Sequence, residues 1–155
     1  MKYVGYWSEG IMHGQGTITY PNGDQYIGNY VQGEKEGFGK EINVNGSQYT
    51  GDWLAGKMHG KGTYLLEDGS KYQGEFYEDR RHGFGKYIWS DKRMYEGNFK
   101  DDKLEGKGYI WNPNDNSKLW GSWKNGKLDG KVTLIDKNGN TMEYIYQEGK
   151  LIENQ

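Results

Sequence analysis

Glycines recur along this chain at a fixed step of 23 residues, and this repeat constrains the fold more than any other feature. One series contains Gly5, Gly28, Gly51, Gly74 and Gly97, and it continues after a slip of one residue at Gly121. A second series in phase with it contains Gly14, Gly37, Gly60, Gly83, Gly106 and Gly130. Such self-similarity is typical of stacked supersecondary units, each contacting mainly its neighbours. We therefore expect a repeated surface rather than a globule around one buried active site.

The composition favours a core built from aromatic rings. Only 33% of the 155 residues are hydrophobic, whereas 15% are aromatic, with 14 Tyr, 6 Trp and 4 Phe. Because aliphatic residues are scarce and each ring can bury a large area, we expect the rings to supply the buried surface. The net charge of −2 provides no overall positive field for nucleic acid, so no nucleic-acid partner is predicted.

The segment from Tyr49 to Lys71 shows the pattern of one repeat. Tyr49, Gly51 and Trp53 alternate with other residue types, and this period of two places alternate side chains on opposite faces of a strand. The three glycines within residues 56–62 predict a tight loop, after which the chain reverses into a second strand. Each repeat is therefore predicted to be a β-hairpin.

The connection between repeats is predicted to be a two-residue type I′ turn at Asp68-Gly69. That turn would place Leu65 opposite Tyr72, and Thr63 opposite a glycine that leaves room for a ring. Equivalent turns are predicted at Asn22-Gly23, Asn45-Gly46 and Asn138-Gly139, with Thr19 opposite Tyr26 and Ile42 opposite Tyr49.

The pattern Tyr-x-Gly-x-Trp-x-x-Gly-x-x-His-Gly-x-Gly is complete in residues 3–16 and 49–62. It resembles the MORN (membrane occupation and recognition nexus) repeat, a 23-residue β-hairpin unit. The resemblance divides residues 1–155 into a single array. Its repeats are residues 3–25, 26–48, 49–71, 72–94, 95–118 and 119–141, followed by a closing half-repeat at 142–155.

The predicted fold class is all-β, an elongated single-layer antiparallel meander of repeated 23-residue hairpins that is twisted or curved. Twelve strands and a thirteenth near Tyr144, spaced ~4.8 Å apart, would give a ribbon roughly 60 Å long. Asp79 and Asp102 stand where most repeats have glycine, so altered loops are expected at these two positions.

An aromatic stripe is the first candidate binding surface, because rings recur on one side of successive strands. It comprises Tyr26, Tyr30, Tyr49, Trp53, Tyr72, Phe76, Tyr95, Phe99 and Trp123. Rings with polar tips are favoured at binding hot spots, so a helical or extended peptide could lie along them. The alternative is that the rings pack on one another as a core. MORN arrays are known as protein-binding modules, and the resemblance implies a non-enzymatic scaffold or adaptor for a partner protein.

A basic ridge is the second candidate surface, formed by cations at corresponding loop positions of repeats three to six. It comprises Lys57, Lys61, Arg80, Arg81, Lys103, Lys107, Lys127 and Lys131. Adjacent loops ~10 Å apart would have overlapping potentials and could attract phosphoinositides or other anionic lipids. The alternative is a solvated face of mixed charge, since acidic residues lie in the same segments.

Metal binding and catalysis are not predicted. His13, His59 and His82 share one slot, but side chains in adjacent repeats lie ~10 Å apart and cannot converge on one ion. A hydrogen bond within the loop is the preferred role, because Glu36, Glu105 and Asp129 take the same slot. The phosphate-loop-like run 51–57 is followed by Met58 rather than by Ser or Thr. We therefore expect no catalytic, cofactor or metal residues.

Three further expectations complete the sequence-based hypotheses. The segment could be the regulatory part of a larger enzyme, because MORN arrays occur beside catalytic domains. The strand edge from Tyr3 to Trp7 could pair between chains in self-association. No charged leader or bilayer-length apolar run is present, so a cytoplasmic location is expected, with association to the cytoskeleton or a membrane left open.

Overall fold

The computed structural model describes residues 1–154, which form strands and turns. The strands are β1 (Lys2–Ser8), β2 (Ile11–Thr19), β3 (Gln25–Val31), β4 (Glu34–Ile42), β5 (Gln48–Leu54), β6 (Lys57–Leu65), β7 (Lys71–Tyr77), β8 (Arg80–Ile88), β9 (Met94–Lys100), β10 (Lys103–Asn112), β11 (Ser117–Lys124), β12 (Lys127–Leu128), β13 (Gly130–Ile135), β14 (Thr141–Gln147) and β15 (Lys150–Asn154). Within residues 1–154 there is no helix with the length and apolar character of a membrane span.

The chain contains two compact units, residues 1–80 and the part that begins at Arg81. In unit 1, β1 to β7 are ordered as in the sequence, each antiparallel to the next. In unit 2 the order is β8, β9, β10, β11, β13, β14 and β15, and the short β12 also pairs with β11. The predicted all-β antiparallel meander is confirmed. The described residues hold fifteen strands rather than thirteen, because one strand is split into β12 and β13 and β15 follows the predicted last strand.

The tight turns within repeats differ from the predicted loop. Ala55 and Gly56 have φ of 49° and 80° and connect Leu54 to its partner Lys57, which is the type I′ arrangement. The predicted loop over residues 56–62 is wrong, because β6 begins at Lys57 and continues through it. Gly60, at φ 78°, lies where the β5–β6 register shifts, so the glycine serves a bulge within a strand.

The connection between repeats is a three-residue loop rather than the predicted type I′ turn. The Gly69 N–H donates to the Leu66 carbonyl, and the Leu66 N–H donates to the Ser70 carbonyl. Gly69 has a φ of 89°, whereas Asp68 is not in the left-handed region. This is a type I turn followed by a left-handed glycine, the usual three-residue hairpin loop.

The longer loop shifts the strand register by one residue from the prediction. Tyr72 lies opposite Tyr64 rather than Leu65, and Gly74 lies opposite Gly62 rather than Thr63. The same correction places Ile18 opposite Tyr26 and Glu41 opposite Tyr49. Because side chains alternate along a strand, this shift exchanges the faces assigned to the second strand of each repeat.

Each unit therefore has two faces, which we name by their side chains. The ring face carries the aromatic stripe, and it also carries glycines that lie opposite one another across successive strands, such as Gly28 and Gly39. The outer face carries the alternate residues, including Phe38 in unit 1 and Phe84, Lys107 and Trp120 in unit 2.

The glycines make room for the tyrosine rings on the ring face. A Cβ at Gly39 would collide with the ring of Tyr26, and one at Gly28 would stand 2.7 Å from the Tyr26 hydroxyl oxygen. That hydroxyl donates to the Asn29 carbonyl at 2.9 Å. The same bond recurs from Tyr49 to Asp52, from Tyr72 to Glu75 and from Tyr95 to Asn98, at 2.7 to 2.8 Å.

The rings pack edge to face along each unit. Tyr49 contacts Trp53 and Phe76, both with centroids 5.1 Å apart and nearly perpendicular planes. In unit 2, Tyr95 contacts Phe99 at 5.2 Å and Trp123 at 5.3 Å. Aromatic pairs of this geometry contribute roughly 0.5–1.5 kcal/mol each beyond their buried area. The core of each unit is therefore a row of interlocked rings.

Candidate functional site

The aromatic stripe is buried in its entirety. Exposed fractions run from 0% for Tyr26, Tyr72 and Tyr95 to 5% for Trp53, Phe76 and Trp123, and all nine residues fall within this range. The members are Tyr26, Tyr30, Tyr49, Trp53, Tyr72, Phe76, Tyr95, Phe99 and Trp123. These burials favour the packing alternative for the stripe, and a binding role for it stays a prediction.

Burial also fixes the protonation of the ring-face tyrosines. Removal from water raises the pKa of Tyr26 and of Tyr95 to about 12. Each of these hydroxyls also donates a hydrogen bond to a backbone carbonyl. The pKa values of Tyr30 and Tyr49 are raised by the same cause. The stripe is therefore neutral over the physiological range and supplies no charge for ligand binding.

The predicted basic ridge lies in strands rather than in loops. Its members are Lys57 and Lys61 in β6, Arg80 and Arg81 in β8, Lys103 and Lys107 in β10, Lys127 in β12 and Lys131 in β13. By strand alternation all except Arg81 belong to the outer face. Lys131 pairs with Glu143 at 2.8 Å.

Arg81 lies on the ring face, where its partly buried side chain packs against the core rings. Its guanidinium lies over the rings of Tyr87 and Phe99, 5.3 and 5.7 Å from their centroids. Its Nε donates to the Asp102 carboxylate at 3.2 Å. An arginine engaged by two rings and a carboxylate is an unsuitable anchor for a lipid headgroup.

Three of the residues at the histidine slot accept a hydrogen bond from a turn N–H of the following repeat, whereas His59 contacts the ring of Tyr77 with centroids 5.2 Å apart. The Gln32 N–H donates to Nδ1 of His13 at 3.4 Å. In two other repeats Glu105 accepts the Asn125 N–H at 3.0 Å, and Asp129 accepts the Glu148 N–H at 3.1 Å. Across residues 1–154 no group of three potential metal ligands comes together.

The two aspartates that replace turn glycines form an additional hydrogen bond to the preceding repeat. Asp79 has a φ of 70°; its N–H donates to the Met58 carbonyl at 3.0 Å, and its carboxylate accepts the Met58 N–H at 2.9 Å. Asp102 makes the same pair of bonds with Arg81, at 3.0 and 2.9 Å. Aspartate tolerates the left-handed region better than most residues, and its carboxylate offsets the loss of glycine.

The outer face of unit 2 carries an open groove, which we call the Trp120 groove. Its volume is about 860 Å³, and its lining includes Phe84, Lys107, Tyr109, Trp120, Lys131 and Thr133. Tyr109 in β10 lies directly opposite Trp120 in β11, and the two rings are 4.5 Å apart with planes at 40°. Trp120 is 53% exposed, an unusual situation for so large an apolar side chain.

Two rows of side chains wall the Trp120 groove. One row follows the pairing of Glu96 with Tyr109, of Tyr109 with Trp120, and of Trp120 with Thr133. The other row contains Phe84, Lys107, Ser122 and Lys131. The floor between them is backbone, because Gly97 and Gly108 direct their Cβ positions toward Tyr95 on the ring face. The groove therefore crosses the strands between an aromatic wall and a partly basic wall.

The aromatic wall carries two hydrogen-bond donors that the fold does not use. Neither the indole N–H of Trp120 nor the hydroxyl of Tyr109 has an acceptor among the side chains and backbone of residues 1–154. In contrast, the indole N–H of Trp53 donates to the Gly39 carbonyl at 3.2 Å, and that of Trp111 donates to Asn116 at 3.2 Å. Trp120 thus offers both an apolar surface and a donor.

Sequence reasoning missed this groove although the sequence contains its signal. Trp120 precedes Gly121 of the first glycine series, and the other repeats have Val4, Ile27, Thr50, Gln73 and Glu96 at that position. Tyr109 follows Gly108, which belongs to a third glycine series of the same 23-residue step (Gly16, Gly39, Gly62, Gly85 and Gly108). The other repeats have Thr17, Lys40, Thr63 and Lys86 at that position. Tyr109 and Trp120 are therefore aromatic residues at positions where the other repeats have none, and they lie in neighbouring strands that form the groove.

Comparison with solved structures shows where this fold occurs. The TCP domain of SAS-4 (dCPAP) in complex with a proline-rich motif of Ana2 (dSTIL) of Drosophila melanogaster is similar at a TM-score of 0.51 and 17% identity, with 92% of this chain and 83% of that chain covered. The TCP10c domain of Drosophila melanogaster Sas-4 matches at a TM-score of 0.47 and 15% identity, with 92% and 93% covered. Comparison with curated proteins finds no match.

The family model of the MORN repeat matches most of the chain. The matched residues are 3–25, 26–48, 49–71, 72–92, 95–117 and 121–141. These spans contain the glycine frame, the ring-face stripe and both kinds of turn described above. The chain therefore belongs to the MORN repeat family.

Proposed function

We propose that this chain is a non-enzymatic scaffold or adaptor that binds a segment of a partner protein in the Trp120 groove. The observation that carries the proposal is the Tyr109–Trp120 pair, whose rings lie 4.5 Å apart on the outer face and whose tryptophan is 53% exposed. Large rings beside a groove are the composition of binding hot spots. Adjacent rings that form one aromatic surface rimmed by polar residues are typical of an interaction site, whereas rings scattered singly are not.

The expected contribution of Trp120 to binding is large enough to matter. A half-exposed tryptophan leaves roughly 100 Å² of apolar surface in water. Covering that area at about 25 cal/mol per Å² gives ~2.5 kcal/mol, which is within the range of measured hot-spot residues. A partner that covers the rings of Tyr109 and Trp120 would therefore gain most of its binding free energy from this pair.

The fold neighbour supports a peptide as the ligand of such a sheet. The TCP domain of SAS-4 has this fold, and its structure contains a motif of another protein. The ring-face stripe predicted from the sequence is the alternative location for the partner. Its side chains are at most 5% exposed, so a peptide would gain little contact there without disturbing the edge-to-face rings. We therefore favour the outer face.

Affinity capture with matched variants tests the proposal. The wild-type protein, a Tyr109→Ala/Trp120→Ala variant and a Phe38→Ala variant would be compared by mass spectrometry of captured proteins. Phe38 is 64% exposed on the outer face of unit 1, so it controls for the loss of an exposed ring outside the groove. We expect partners that the first variant loses and the control keeps. Capture that is unchanged in the groove variant would refute the proposal.

Attachment to anionic lipid is a second candidate function. Lys57, Lys61 and Lys103 are exposed on the outer face and form no ion pair among residues 1–154. Charge reversal of these three should abolish binding to phosphoinositide-containing vesicles if lipid is the ligand, and it should leave peptide binding intact. Lys107 is kept unchanged in this variant because it lies in the Trp120 groove.

Three sequence-based hypotheses remain as predictions. They are a regulatory role within a larger enzyme, self-association through the edge from Tyr3 to Trp7, and a cytoplasmic location with association to the cytoskeleton or a membrane. Light scattering over a range of protein concentrations tests the second, since a mass that stays monomeric would exclude it.

A further inference from the structure

We infer that the Trp120 groove binds a proline-rich segment in the polyproline II conformation, an inference that rests on the proposed function and specifies its ligand. Three kinds of peptide backbone could occupy the groove: a helix, a strand or a polyproline II segment. They differ in which of their backbone groups are free to bond the protein. The donors of the groove distinguish among them.

The unused donors favour a backbone with free carbonyls. The Trp120 indole N–H and the Tyr109 hydroxyl are both on the aromatic wall and have no acceptor among residues 1–154. Most carbonyls of a helix are bonded within the helix, whereas a polyproline II segment has no internal hydrogen bonds and keeps its carbonyls available. A strand would need a free sheet edge, but the groove lies on a sheet face whose backbone is already paired.

The ring surfaces favour proline itself. The rings of Tyr109 and Trp120 are 4.5 Å apart and tilted at 40°, so they form a continuous aromatic surface rather than an interlocked edge-to-face pair. Aromatic-lined grooves of this kind dock prolines, whose rings are apolar and whose backbone loses little entropy on binding because it is already extended.

The length of the groove sets the length of the ligand. The groove reaches from Phe84 in β8 to Lys131 in β13, which is four steps between neighbouring strands. At ~4.8 Å per step the span is about 19 Å. A polyproline II segment rises about 3.1 Å per residue, so roughly six residues fill the groove.

The charges of the groove do not demand a charged ligand. Lys107 forms no ion pair among the described residues, but Lys131 is paired with Glu143, and Glu96 and Asp129 also line the groove. The positive and negative groups nearly balance. A mostly uncharged proline-rich segment fits this environment, with Lys107 available to one acceptor on the peptide.

Selection from an unbiased peptide library tests the inference and the proposed function separately. A displayed library of random peptides would be selected on the wild-type protein and counter-selected on Trp120→Ala. Peptides that depend on Trp120 and are enriched in proline over a run of about six residues would support the inference. Peptides that depend on Trp120 but lack proline, or become helical when bound, would overturn it while the proposed function stands. If no selected peptide depends on Trp120, both fail.

A conservative variant tests the role of the indole donor. Trp120→Phe keeps a ring on the aromatic wall but removes the N–H, so it should weaken a selected proline-rich peptide about fivefold, the value of one neutral hydrogen bond. Trp120→Ala should weaken the same peptide at least about thirtyfold, the loss expected at a hot spot. Near-ultraviolet circular dichroism would confirm that both variants keep the ring-face core. Equal affinity of Trp120→Phe and the wild type would overturn the carbonyl contact on which the inference depends.

Discussion

Unit 2 contains two tyrosine–tryptophan pairs that occupy opposite faces of its sheet. Tyr95 and Trp123 meet on the ring face at 5.3 Å with planes at 84°, and both are buried. Tyr109 and Trp120 meet on the outer face at 4.5 Å with planes at 40°, and Trp120 is half exposed. The two tryptophans are three residues apart in β11, so strand alternation sends them to opposite faces.

The two pairs distinguish a feature shared by successive repeats from a feature found at one place in this chain. The ring-face pair belongs to a pattern found in successive repeats, supported by glycines beneath the tyrosines and by the bond from Tyr95 to the Asn98 carbonyl. The outer-face pair belongs to no repeated pattern, and its donors are unused. The first pair stabilises the fold, and the second is the surface that we propose for a ligand.

Truncation of the two tryptophans should give the largest contrast. Trp123→Ala removes a buried ring from the core and should lower the free energy of unfolding by about 4 kcal/mol, as large-to-small core substitutions do. Trp120→Ala removes a half-exposed ring and should lower it by no more than about 1 kcal/mol. Urea unfolding measures both values. Similar losses would show that the outer-face pair is also part of the core.

Alanine at two paired glycines should give the next largest effect. A Cβ at Gly108 would stand 2.6 Å from the Tyr95 hydroxyl oxygen and 2.7 Å from its Cζ, so Gly108→Ala should cost about 3 kcal/mol by overpacking. Gly121, the cross-strand partner of Gly108, has as its nearest neighbours the ends of Leu119 and Leu128 at 3.3 Å. These flexible ends can move, so Gly121→Ala should cost about 1 kcal/mol. Urea midpoints that reverse this order would contradict the packing described here.

Alkaline unfolding should report on the ring face. The pKa of Tyr95 is raised by burial to about 12, above its ordinary value of 10.0. A raised folded-state pKa means that the stabilisation is complete below pH ~10 and is lost as the pH rises toward 12. Tyr95→Phe removes this ionisation and should reduce the loss of stability between these pH values. Urea unfolding followed across the range checks it, and an unchanged pH dependence would exclude Tyr95 as a contributor.

The smallest change in stability is expected when a tyrosine–tryptophan pair like Tyr109–Trp120 is introduced on the outer face of unit 1. Lys40 and Thr50 are directly opposite each other in unit 1, at the positions that Tyr109 and Trp120 hold in unit 2. A Lys40→Tyr/Thr50→Trp variant should change the free energy of unfolding by less than about 1 kcal/mol, the usual contribution of a cross-strand aromatic pair. Thermal unfolding measures it. A loss of several kcal/mol would mean that a ring pair on the outer face strains the sheet, and that the Tyr109–Trp120 pair needs structural support of its own.

The strands and the aromatic stripe could be predicted because both follow from short periods in the sequence. The alternation of Tyr49, Gly51 and Trp53 defines one face of a strand without knowledge of its neighbours. The turns were harder to predict from the sequence. Asp68-Gly69 has the composition of a type I′ turn, but the Leu66–Ser70 hydrogen bond adds a residue and shifts the register. Composition alone does not distinguish a two-residue loop from a three-residue loop.

The Trp120 groove could not be predicted from the repeat, because it depends on what does not repeat. Tyr109 and Trp120 lie in different repeats and meet only through the pairing of β10 with β11. The one-residue register correction also decides which face the second strand presents. A search for departures from the frame would have identified both residues, and the pairing then brings them together.

The indole signals of the six tryptophans provide the most direct test of the separation between the two faces. Nitrogen-15 labelled protein would be titrated with a selected proline-rich peptide while the indole N–H resonances are followed by nuclear magnetic resonance. We expect the Trp120 signal to move and the signals of the buried Trp53 and Trp123 to stay unchanged. Movement of the Trp53 or Trp123 signal with an unchanged Trp120 signal would contradict it and return the binding site to the ring face.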